Sequence, residues 1–150
     1  MQLRGTHRLA ALAGAAALVL TTMSGPASAS ARTTETLCGP EVELSAVVYQ
    51  ACSDVLSVEE TQYGTMPYLY AKNRGIGSVS ITVTIEHWNY ATSAWVTDST
   101  GPRTIGASSD TRYFGPSHLW SCGQNARERA RATSTVGTGA WSEVVTPAPC

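Results

Sequence analysis

The stretch Val79-Ser80-Ile81-Thr82-Val83-Thr84-Ile85-Glu86-His87-Trp88 restricts the fold more than any other part of the chain. Val79, Ile81, Val83 and Ile85 share one parity, and Ser80, Thr82, Thr84 and Glu86 share the other. A period of two is that of a strand with one buried and one wet face. β-branched residues fill nearly every position, and they suit a pleated surface. His87 continues the apolar parity at the strand's end. A second strand folding back through Asn89 to Ala94 brings Trp95 near Trp88. The stretch predicts the central hairpin of an all-β domain.

The chain begins differently. Met1 to Arg8 is short and basic, Leu9 to Leu20 is apolar, and Ala27-Ser28-Ala29 follows a Gly-Pro turn. That order is a secretory signal peptide spanning 1–29. The apolar run is shorter than the roughly 20 residues a membrane-spanning helix needs. No later stretch reaches that length, so the mature protein is expected to have no membrane span. Residues 30–40 read as a loose leader and 41–150 as the domain. An alanine-rich leader of this kind points to a bacterial source.

Removing Arg4 and Arg8 leaves eight basic side chains against eleven acidic ones, a net charge of about −3. Lys72 is the only lysine. A weakly acidic surface argues against nucleic acid as the partner. Cys38, Cys52, Cys122 and Cys150 make an even count, which in an exported domain of this size reads as two disulfides. No Cys-x-x-Cys pair occurs, and only His87 and His118 follow the leader, so neither metal nor other cofactor is expected.

Other strand candidates are Glu41 to Ala51, continued by Val55 to Val58 after a bend at Ser53-Asp54. Met66 to Ala71, Thr111 to Phe114, Trp120 to Thr133 and Trp141 to Thr146 follow. Turns are expected around Gly64 and at Val136-Gly137, and a loop from Thr97 to Gly106. No 3.6-period apolar stripe appears. About seven short strands separated by Gly and Pro indicate an antiparallel β-sandwich.

The most specific segment runs from Ala126-Arg127-Glu128-Arg129-Ala130-Arg131-Ala132, through Val136-Gly137-Thr138-Gly139, to Ala140-Trp141-Ser142-Glu143. It resembles the last two strands of a fibronectin type III domain, an immunoglobulin-like sandwich. Ala126 stands where that family has a core tyrosine, and Glu128 where it has an aliphatic residue. An inward glutamate is costly unless paired. The resemblance implies an adhesive or spacer module.

A regular hairpin centred on Val136-Gly137 sets Cys122 opposite Cys150. Cys38 then pairs with Cys52, which requires a bulge or reversal within 41–51, because a straight strand would hold its ends about 30 Å apart. A crossed pairing is the alternative, since four cysteines allow three connectivities.

Arg127, Arg129 and Arg131 line one strand face. They offer either a site for sulfated or carboxylated ligands or a plain solvated face. Trp88 and Trp95 are candidates for a sugar-stacking platform, whereas Trp120 and Trp141 are candidates to fill space beside Ala126, Ala130 and Ala132. Ser121 beside His118 lacks the surroundings of a hydrolase nucleophile, and no catalytic residue is assigned. The expected product is a small secreted, non-catalytic protein binding an extracellular protein or glycan. One alternative is an inhibitor of a secreted hydrolase, similar in size and architecture to bacterial amylase and subtilisin-type protease inhibitors, acting through loops at Thr97 to Ser109 or Asn89 to Ala94. Another is a small hydrolase with a cleft near His87 or His118.

Overall fold

The computed structural model describes residues 35–150. The expected signal peptide and the first part of the expected leader lie outside the described residues. Eleven strands follow one another: β1 (Glu35–Cys38), β2 (Val42–Leu44), β3 (Val47–Val58), β4 (Gln62–Asn73), β5 (Val79–Asn89), β6 (Ala94–Ile105), β7 (Asp110–Phe114), β8 (His118–Ser121), β9 (Ala126–Ser134), β10 (Gly137–Thr138) and β11 (Ser142–Thr146). They form two antiparallel sheets, with no helix among the described residues. In the first sheet β3 pairs β4; β1 and β2 share the far side of β3, and β7 and β8 share the far side of β4. In the second, β9 pairs β5, with β6 beyond β5 and with β10 and β11 beyond β9.

The count exceeds seven because edge positions are split between consecutive short strands. Glu41 to Ala51 is not one strand. The chain reverses at Ser45-Ala46, where Ser45 takes a φ of 56°, and β2 lies back on β3. That reversal sets Cys38 directly across from Cys52, and the two are disulfide-bonded. The leader therefore ends in a strand, Glu35–Cys38, rather than staying loose. Cys122 and Cys150 form the second disulfide. Two bridges in a domain of this size suit an oxidising compartment.

Four further segments differ from the sequence reading. Trp120 to Thr133 is not one strand: the chain leaves β8 after Ser121, turns at Cys122-Gly123, where Gly123 takes a φ of 85°, and enters β9 in the other sheet at Ala126. The turn expected at Gly64 lies earlier, at Glu59 to Thr61, and Gly64 is inside β4. The bend at Ser53-Asp54 is absent, because β3 runs through it and breaks register only between Val55 and Ser57. The loop expected from Thr97 to Gly106 is mostly strand. Gly101 and Pro102 sit in β6, which is an edge, where a proline is tolerated and discourages pairing with another chain.

The core lies between the sheets. Ile81, Val83 and Ile85 of β5 are buried against Val47, Tyr49, Ala51, Leu69 and Ala71 of the first sheet, with Ala130, Ala132 and Val144 beside them. Met66, Tyr68 and Tyr70 alternate on the outer face of β4, while Tyr63, Thr65, Leu69 and Ala71 point inward. Polar ties join the layers. Ser142 Oγ donates to the Pro40 carbonyl (2.7 Å) and accepts from Ala51 N–H (2.9 Å). The Tyr49 hydroxyl donates to the Ala140 carbonyl, passing so close to Gly139 that a β-carbon there would collide with it. Asn73, fully buried, accepts from Gly75 N–H and donates to the carbonyls of Gly77 and Gly106, which pins the crossing from β4 to β5.

Because Ile85 is central to both β5 pairings and to the core, Ile85→Ala is expected to cost about 2–5 kcal/mol. Urea unfolding should show the loss as a lower midpoint with an unchanged slope.

Candidate functional sites

Two groups of side chains stand apart from ordinary packing. One is enclosed at an end of the sandwich, and the other covers the outer face of the second sheet.

The enclosed group depends on a β-bulge. Ile85 faces Ser99 and Glu86 faces Thr97, so Asp98 is an extra residue of β6 without a partner in β5. A bulge re-aims a side chain. Here the Asp98 side chain is only 5% exposed and lies between two imidazoles. Its Oδ1 is 2.6 Å from His87 Nδ1 and its Oδ2 is 3.1 Å from His118 Nε2. The two imidazole centroids are 4.4 Å apart, and Trp120 meets both rings edge-on.

Glu128 lies across from His87 on β9 and is 1% exposed. Thr65 Oγ1 donates to its Oε1 (2.7 Å), and Trp120 Nε1 donates to the same Thr65 oxygen (2.8 Å). Its Oε2 and the buried Ser53 hydroxyl lack a close partner, and that hydroxyl lies near enough to Glu128 to favour its charged form. The first sheet thus supplies Thr65, His118 and Trp120, and the second supplies His87, Asp98 and Glu128. An open depression of about 300 Å³ lies over the histidines, edged by Asn89, Tyr90, Leu119 and Gln124.

Burial raises the Glu128 pKa above the ordinary carboxylate value; the nearby Ser53 and Thr65 hydroxyls and His118 oppose the rise. For His118, burial alone would lower the pKa. The hydrogen bond to Asp98, the aspartate's charge and Glu128 outweigh it, and the net shift is upward.

The outer group is a row on β9 and its neighbours. Arg127 lies over Trp88 and Trp95 (5.0 and 5.3 Å to the ring centroids). Arg129 sits between Trp95 and Trp141 (4.1 and 4.2 Å), and Arg131 lies over Trp141 (4.3 Å). Each such contact contributes roughly 0.5–2 kcal/mol. Arg129 donates through Nε and Nη2 to Glu86 Oε2 (2.8 and 2.6 Å), and Arg127 likewise to Glu143 Oε1 (2.9 and 2.7 Å). Arg131 has no acidic partner among the described residues, and its Nε is buried without a hydrogen bond.

The structure brings Trp88, Trp95, Arg127, Arg129 and Arg131 together on one face. Trp88 and Trp95 meet edge to face at 5.4 Å with Arg127 against both, so they do not offer a flat, bare pair for a sugar. Trp141 belongs to this row and fills no core space, whereas Trp120 is buried beside Tyr63 and Ala126. Ser121 is exposed on the opposite parity from His118 and does not meet it. The Asn89 to Ala94 connection is a tight turn held by Asn89 Oδ1, which accepts from Ala91 and Thr92 N–H. Neither proposed inhibitory loop protrudes as a long loop.

Sequence reasoning missed Asp98 and Thr65. Thr65 has the parity of Tyr63 and Leu69, a signal that was available. Asp98 gave none, because a bulge breaks the period that parity arguments rely on.

No protein-family model matches the chain, and no curated protein matches it. Among solved structures it is similar to one titled "X-ray structure of Northeast Structural Genomics Consortium target SoR45", with a TM-score of 0.43 and 11% identity over 70% of this chain and 88% of that one.

Folded Glu128 and His118 both hold a proton more tightly than they do unfolded, so folding takes up protons and stability falls with rising pH. Their contribution is complete below their unfolded pKa values and is lost as pH passes the elevated folded ones. Glu128→Gln should remove the Glu128 share. The stability of the native protein relative to this variant should therefore decline as pH rises above the ordinary carboxylate range in urea titrations. A relative stability that rises there would contradict the assignment.

Proposed function

We propose that this is a secreted, non-catalytic recognition module, an immunoglobulin-like sandwich that holds an acidic extracellular partner against the outer face of its second sheet. The partner is a carboxylated or sulfated glycan, or a protein presenting such groups. One observation carries the reading. Three guanidinium groups are stacked in a row, two are neutralised by Glu143 and Glu86, and the third, on Arg131, is left without an acidic partner among the described residues.

Physical chemistry supports this use of the row. A guanidinium held flat against tryptophan has already lost its rotamer freedom, so binding costs it little further entropy. Its fork suits carboxylate and sulfate geometry. Tryptophan and arginine are also the residues that most often dominate interface energetics. The remaining outer positions of β5 and β6 are largely Ser and Thr, with Ser80 facing Thr104 and Thr84 facing Thr100, so the row is flanked by hydroxyl groups.

The test is retention on sulfated and carboxymethyl dextran, with neutral dextran as control. The native protein should bind the two acidic polymers and lose affinity as salt is raised. Arg131→Ala should weaken binding by about ten-fold, as expected for one lost charge-assisted pair. Equal retention on neutral dextran, or an Arg131→Ala variant that binds as well as the native protein, would overturn the proposal.

A further inference from the structure

We propose that His87, Asp98 and His118 bind a divalent transition metal, zinc foremost, with an open coordination position facing the depression beneath Tyr90. The proposal does not depend on the recognition face, which lies on the opposite side of β5 and β9.

The argument begins with convergence. One ring nitrogen of His87, one of His118 and an Asp98 oxygen all lie within 4.8 Å of one another. Bonds of about 2.0–2.2 Å would set tetrahedral ligand atoms roughly 3.4 Å apart, so the widest separation closes by no more than about 1.4 Å, while the 2.6 Å contact between His87 and Asp98 opens by about 0.8 Å. Side-chain torsions can supply such a movement. Two imidazoles and one carboxylate are a donor set that suits zinc and its neighbours, and three protein ligands leave a position free.

The site is also built rather than incidental. Its three ligands come from three different strands, β5, β6 and β8, and from both sheets. The aspartate is delivered by a bulge and is nearly fully buried, while both histidines line the depression. A metal can enter from solvent, and the carboxylate beneath supplies charge in a low-dielectric setting. Behind the three stands Glu128, 1% exposed, with Oε2 unpartnered. A carboxylate behind the ligands is a common support for such centres.

Without metal, one hydrogen bond joins each histidine to Asp98, and each bond holds a proton. At each neutral ring the metal takes the nitrogen that carried the shared proton, and that proton moves to the other nitrogen of the same ring, so no other reactant is needed. The sequence argued against a metal because close-spaced cysteine pairs are absent and only two histidines follow the leader. The third ligand became visible only when the bulge turned Asp98 inward.

The experiment uses the purified protein stripped with a chelator, then titrated with Zn²⁺ by calorimetry and with Co²⁺ by visible absorption. One equivalent should bind, and Co²⁺ should show the intense bands of a four- or five-coordinate nitrogen–oxygen site. Asp98→Asn and His118→Gln should each weaken uptake at least about ten-fold. The surface pair Glu41→Gln/Glu43→Gln, which faces Arg74, should leave uptake unchanged. Should the site variants fail to fold by circular dichroism, ring resonances of the native protein decide: Zn²⁺ must shift those of His87 and His118 stoichiometrically. No stoichiometric uptake by folded protein, uptake indifferent to Asp98→Asn in a folded variant, or unshifted histidine resonances would overturn the proposal.

Discussion

Two carboxylates inside a β-sandwich impose the main constraint on this structure. Removing an ionised carboxylate from water is costly unless it is paired or gives up its charge. Asp98 and Glu128 meet that cost in different ways. Asp98 lies between two imidazoles, with one carboxylate oxygen within hydrogen-bond distance of each ring. Glu128 has only the Thr65 and Ser53 hydroxyls beside it and no ion pair among the described residues, and its pKa moves up toward the neutral form. The surrounding architecture serves these two solutions. The bulge in β6 brings Asp98 inward, β8 presents His118 and Trp120 together, and Thr65 passes a hydrogen bond between Trp120 and Glu128. The end of the sandwich is polar and specific where the middle, around Ile81, Val83 and Leu69, is apolar and generic.

Such a cluster is a weak source of stability. A well-packed apolar replacement for a buried ionic group is often neutral or stabilising, whereas loss of one partner alone is strongly destabilising. The domain has other means of holding this end together. The Cys122–Cys150 bridge fastens the final segment to the chain leading into β9. The Tyr63 hydroxyl accepts from Ala126 N–H and donates to the Gln124 carbonyl, joining β4 to the start of β9. These ties cross between sheets without using the histidines. The polar cluster can therefore alter its protonation or take up a ligand while the layers stay registered.

What the sequence revealed follows from period. Wherever a strand keeps strict alternation, its faces were legible: those of β5 and β9 were assigned correctly, including an inward Glu128 and three outward arginines, although the start of β9 was placed too early, at Trp120. The two disulfides could be placed because one hairpin's symmetry and one required reversal constrained them. The failures share a cause. Short edge strands such as β1 and β2 carry too few residues for a pattern to show. β6, half exposed on an edge and rich in Thr, Ser, Gly and Pro, has the composition of a loop. Asp98 owes its position to a register shift, which is a property of two strands together and is not written in either alone.

The two candidate sites are nevertheless not mechanically separate, because they occupy alternate residues of the same strands. On β9, Arg127 and Arg129 flank Glu128; on β5, Glu86 and Trp88 flank His87. A one-residue slip of β9 against β5 would turn the arginines into the core and expose the alanines, so the register is strongly enforced from both faces. The ion pair between Glu86 and Arg129 spans the same two strands directly above the His87–Glu128 pairing. Any load that shifts these strands is felt on both sides of the sheet. The outer row of stacked tryptophan and arginine thus acts as a brace on the positions of His87 and Glu128. The register that sets His87 opposite Glu128 is therefore held from both faces of the sheet, by the Glu86–Arg129 pair outside and by the core inside.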